Sequence, residues 1–77
     1  MIMIASKMIE LVDIFTVQGQ MPLAWRMRHQ ALSDLTRQSR HTGDVAMMEG
    51  KPSFRGVPIE IGDVRNALGA ELLARQA

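Results

Sequence analysis

The stretch EGKPSFRGVPIEIGD, Glu49 to Asp63, places the tightest limit on what this chain can fold into. It holds Pro52, Pro58, Gly50, Gly56 and Gly62. Arg55, Val57, Ile59 and Ile61 alternate in it with Phe54, Gly56, Pro58 and Glu60. A period of two marks a strand with two unlike faces. Proline has no N–H to give to a ladder, so Pro58 confines the strand to an edge or to a position whose N–H points outward. Gly56 suggests a bulge or a close backbone approach. With VAMME (45–49) ahead of it and the turn-forming GKP between, the simplest reading is a two-stranded hairpin. The Val57, Ile59 and Ile61 side should be buried, and the Phe54, Pro58 and Glu60 side more exposed. An isolated hairpin is marginal in water, so helices have to cover one face.

The rest of the chain supplies segments with helical spacing. In residues 2–17, Ser6, Glu10 and Asp13 share one stripe and Ile4, Met8, Leu11 and Phe15 another, widened by Ile9 and Val12. Gly19 is a natural stop. Pro22 suits the first turn of a second helix running to about Ser39. Ala24, Met27, Ala31 and Leu35 would face inward from it, and Arg26, Gln30, Ser33, Arg37 and Arg40 outward. RHTGD (40–44) has the composition of a terminating turn. Asp63 would cap a last helix, 64–75, with Val64, Leu68 and Leu72 inward. The expected fold class is therefore α+β and mostly helical: two N-terminal helices, a β-hairpin and one C-terminal helix, in a single domain of residues 1–77.

Composition narrows the functions open to such a domain. At 77 residues one small core supplies roughly 3–5 kcal/mol. Without cysteine there are no disulfides or thiolate metal sites, and two histidines twelve residues apart do not make a zinc site. No cofactor or metal is expected. The opening run is interrupted by Lys7, Glu10 and Asp13, which fits neither a signal peptide nor a membrane span of about 20 apolar residues. A cytoplasmic protein without a membrane partner is expected.

No catalytic constellation stands out. His29 and Ser33 stand one helical turn apart, but Asp34 would point about 100° away from Ser33 and could not orient the histidine. HTGD (41–44) lacks the spacing and preceding strand of a phosphate-binding loop. The chain is not expected to be an enzyme.

The positive signals point to binding. Residues 22–41 carry Arg26, Arg28, Arg37 and Arg40 against the single acid Asp34, a net +3 in a chain of +1. A stripe of Arg26, Arg37 and Arg40 at helical spacing can lie along an acidic protein surface or along phosphates. Trp25, the single tryptophan, and Phe54, beside the open strand edge, are candidate partner anchors. Seven methionines provide adaptable apolar surface. The apolar arc of residues 2–17 is wider than one small core needs, which points to a homodimer.

The residues ALSDL (31–35), the hairpin 45–61 and GDVRNAL (62–68) together resemble the layout of the lambda head–tail joining protein W family: helix, hairpin with a lysine in its turn, and a helix opened by aspartate. The resemblance covers about the last 45 residues and is topological; the first helix has no counterpart in it. It implies a virion assembly role. More loosely, the chain resembles small phage or prophage accessory proteins, a class that includes anti-CRISPR proteins and other inhibitors acting on a host complex. The expectation is a non-catalytic protein-binding module of phage type, an inhibitor of a host complex (a nucleoprotein complex among the candidates). It would act through a basic helix face and an exposed strand edge. The alternatives are a small nucleic-acid-binding protein and a phage head–tail joining protein.

Overall fold

The computed structural model describes residues 3–76. Its elements run in the order α1 (Ile4–Val17), β1 (Gln20–Met27), α2 (His29–Gln38), β2 (Val45–Met48), β3 (Lys51–Phe54), β4 (Val57–Ile61) and β5 (Ala70–Gln76). Strand makes up 38% and helix 32% of the described residues, so the chain is α+β but not mostly helical. The strands form one five-stranded mixed sheet in the order β2-β3-β4-β1-β5. β1 and β4 run parallel at its centre, and the other neighbours are antiparallel.

The first helix is the one the spacing predicts, although its expected start at Ile2 lies outside the described residues. No side chain of its own caps it. Gln38 at the end of α2 instead accepts the Ile4 N–H at 2.9 Å, so one helix end closes the other. Gly19, two residues past the helix, has a φ of +77°, a conformation that glycine adopts without a Cβ penalty.

Two expected helices are replaced in the structure. Residues 20–27 form β1, and only residues 29–38 of the expected second helix are helical. The segment QMPLAWRM is rich in helix formers, but burial alternates along it. Trp25 and Met27 are fully buried, and Arg26 between them points to the opposite face. A register shift between Pro22 and Ala24 accommodates the proline in the ladder. The expected last helix, 64–75, is a loop followed by β5. Asn66 accepts the Gly69 N–H at 2.7 Å through its side-chain oxygen and donates to Ala70 O at 2.8 Å. That local turn ends any helix before it begins. Beyond it, AELLARQ pairs with β1 from Gln20–Gln76 to Met27–Ala70. Its helix propensity is overridden by the free edge of β1.

The hairpin is also re-cut. SFRGVPIEI is two strands, joined at Arg55 and Gly56 with φ of +51° and +86°. Glu49 and Gly50, with +52° and +78°, make a similar turn between β2 and β3 in place of GKP. Positive φ at both central residues is the mark of a two-residue turn whose twist matches that of the strands. The Arg55–Gly56 turn resets the alternation, so Phe54 and Ile59 are both buried, while Pro58, Glu60 and Ile61 are exposed. The assignment of Phe54 to the exposed side and of Ile61 to the buried side is thereby corrected.

Both helices cover one face of the sheet. The core consists of Ile4 and Met8 from α1, Ala31 and Leu35 from α2, and Trp25, Met27, Phe54, Ile59, Ala70 and Leu72 from the strands. Trp25 and Phe54 meet edge to face, ring centres 6.4 Å apart at 83°. The other face of the sheet carries a row of charges across three strands. Arg26 on β1 bonds Glu60 on β4 and Glu71 on β5, each at 3.2 Å. Among the described residues, no helix is long and apolar enough to cross a membrane.

Candidate functional site

The five residues expected to meet a partner are scattered by this fold. Trp25 and Phe54 are enclosed in the core, 0% and 1% exposed, and neither presents surface to a partner. Arg26 lies on the outer face of the sheet, held between Glu60 and Glu71. It does not share a helix with Arg37 and Arg40, because the helix that would have aligned the three is broken into β1 and α2. Arg28 ties down the loop before β5 by donating to Val64 O at 2.8 Å.

Arg37 and Arg40 remain together. They line a groove of about 670 Å³ between α2 and the start of β2. Helical spacing brings His29, Ser33, Thr36 and Arg37 to it from α2, with Arg40 one turn later. Val45 of β2 forms the opposite bank and Gly43 one end. The sequence ends α2 here for visible reasons. Thr42 Oγ1 donates to Ser39 O at 3.2 Å and accepts the Asp44 N–H at 3.3 Å, folding residues 39–44 back toward the sheet. No carboxylate is among the described residues lining the groove. Asp34 stands beside it, accepting from Arg37 at 2.9 Å and from Gln30 at 3.1 Å. Asp34 is therefore not available to orient His29. Ser39, also on the lining, has its Oγ buried without a hydrogen-bond partner among the described residues.

β2 itself is an edge strand. It pairs with β3 on one side, and no described residue pairs with it on the other. Met47 and Met48 are 67% and 45% exposed on it. An open row of backbone donors and acceptors flanked by flexible apolar side chains is a template for another extended chain.

Sequence reasoning named Arg37 and Arg40, which line the groove; its exposed strand edge at 53–61 is overturned, because β3 and β4 are interior strands and the open edge beside the groove is β2. The same reasoning missed His29, Thr36 and Ser39 as groove residues. The i, i+4, i+7, i+11 spacing of His29, Ser33, Thr36 and Arg40 was the signal that could have found the first two; Ser39 enters only through the turn. Among the described residues there is no group of three or more His, Cys, Asp or Glu able to hold a metal ion. Compared with family models, curated proteins and solved structures, the chain matches none.

Proposed function

We propose that the chain is a non-catalytic binding module that takes an extended, acidic protein segment along the β2 edge. The observation that carries this reading is the adjacency of two features: a free strand edge and a groove with two arginines and no lining carboxylate. Main-chain pairing to the edge gives affinity for any extended segment, and flanking side chains select among them. Arg40, without an ion pair among the described residues, selects carboxylates, which the planar guanidinium meets with two parallel hydrogen bonds; Arg37, whose Nη2 bonds Asp34, adds its remaining N–H groups. Met47 and Met48 supply apolar contact that adapts to what is bound. An inhibitor that occupies such a segment of a host complex, phage-encoded or otherwise, is a narrower form of this function.

The test is fluorescence anisotropy with a labelled peptide of alternating glutamate and valine, and with single-stranded DNA of matched charge, at two salt concentrations. Peptide binding that weakens at least about tenfold in the Arg37→Glu, Arg40→Glu variant supports the proposal. Tighter binding to DNA, falling steeply with salt, would favour a nucleic-acid-binding module instead. Peptide binding unaffected by the double substitution would make the groove a solvated surface only.

A further inference from the structure

We propose that the opposite edge of the sheet, β5, pairs with β5 of a second copy of this chain, making one continuous ten-stranded sheet about a two-fold axis at Leu73. β5 pairs with β1 on one side, and no described residue pairs with it on the other. It is longer than β2, seven residues against four, and contains neither proline nor glycine. Such an edge invites pairing with another strand.

The occupant follows from the charges. By alternation Glu71, Leu73 and Arg75 lie on the helix-free face, the face on which Glu71 meets Arg26. An antiparallel pair related by a two-fold axis perpendicular to the sheet keeps like faces together, so the axis must run midway between one residue of β5 and its own copy. With the axis at Leu73 the whole of 70–76 pairs, and Glu71 stands opposite Arg75 of the second copy, twice by symmetry. With the axis at Leu72 or Ala74 that match is lost and part of the strand is left over. Arg75 has no ion pair among the described residues, so it is free to take this role. The result extends the row already present: Glu60, Arg26, Glu71 and then arginine from the second copy, alternating in sign across four neighbouring strands.

The helical face agrees with this arrangement. α1 packs chiefly on β1 and also touches β5. Leu11 and Ile14 of α1, with Ala67 and Leu68 ahead of β5, line a mostly apolar hollow of about 350 Å³, rimmed by the exposed Lys7–Glu10 pair. Three strand spacings of about 4.8 Å separate the two β1 strands in the pair, which sets the two α1 helices roughly 14 Å apart. Helices about 10 Å across fit there without collision. Leu11, Ile14 and Leu68 project into the space between, where the second copy covers them.

This interface lies at the other end of the sheet from the β2 groove, so its failure and that of the proposed peptide binding are separately visible. Sedimentation velocity at tens of micromolar should show a dimer for the parent chain. Arg75→Glu sets carboxylate against carboxylate at two symmetry-related positions and should raise the dimer dissociation constant at least about tenfold. Glu71→Arg should do the same with arginines, and an equimolar mixture of the two variants should dimerise again as a heterodimer. Because Glu71→Arg also removes one of the two partners of Arg26, circular dichroism has to show it folded. If it is not, Leu73→Lys on its own takes its place and should also give monomer. A monomeric parent, or an Arg75→Glu variant that dimerises like the parent, would overturn the proposal.

Discussion

Gly69 shows how much of this fold rests on single residues. Its φ is +78°, and a Cβ there would lie 2.9 Å from Arg28 Nη2 and 3.1 Å from Ala31 Cβ. Gly69 O also accepts the Arg28 N–H at 2.9 Å, just where β1 gives way to α2. Gly69→Ala should therefore cost about 1–3 kcal/mol, from backbone strain and from displacing the guanidinium that holds the loop. Thermal melting should register this as a loss of several degrees. By contrast, Gly43→Ala meets no neighbour within 4 Å and carries only the positive-φ penalty, so it should cost less. In the core, Phe54→Ala and Ile59→Ala should both be severe, about 3–5 and 2–5 kcal/mol, because both side chains are buried. In a domain of this size either loss approaches the whole stability. Equal collapse of both variants in a melting experiment is the expected result. A Phe54→Ala variant that kept its stability would mean that the ring is outside the core.

At the scale of elements, the two hairpin turns are improvable. Arg55 and Glu49 hold positive φ, where a side chain other than asparagine or aspartate is strained. Arg55→Asn gives up only a long 3.9 Å contact with Asp44, largely exposed on the Arg55 side, and should stabilise the protein by about 0.5–1 kcal/mol. The check is a melting temperature raised by a few degrees. Elements were legible in the sequence where period and punctuation agreed. α1 has a wide apolar stripe closed by Gly19, and α2 a stripe closed by RHTGD. β1 and β5 were not legible, for one reason. β5 is written entirely in alanine, leucine, glutamate, arginine and glutamine, and β1, apart from Pro22 and Trp25, in glutamine, methionine, leucine, alanine and arginine, all good helix formers; both become strands only because each supplies the other with a ladder. Pairing across about 50 residues leaves no local trace. Burial was easier to read than conformation: Met27, Ala31, Leu35, Val64 and Leu72 were expected inside from helical spacing and are buried, while Ala24 and Leu68, expected beside them, are half-buried. The Arg37 and Arg40 half of the expected stripe stayed together because it lies within α2 and the turn after it. Arg26, Trp25 and Phe54 did not stay with it, since their placement depended on elements that the sequence alone assigned wrongly.

The whole molecule is a sheet with helices on one face, a charged ladder on the other and an open strand at each end. The two ends differ in character. β2 is short and Met-rich and borders a basic groove; β5 is longer and self-complementary in charge. With one edge receiving a partner and the other a second copy, a dimer would display two grooves at the far ends of one sheet. The most direct measurement is a two-dimensional amide NMR titration of the labelled parent chain with the alternating glutamate–valine peptide. Shifts should concentrate in Val45–Met48, in α2 around Ser33 to Gln38, and at Arg40, with Ala70–Gln76 unmoved. No shifts at millimolar peptide, or shifts centred on the Glu60–Arg26–Glu71 face of the sheet, would contradict peptide capture at the β2 edge.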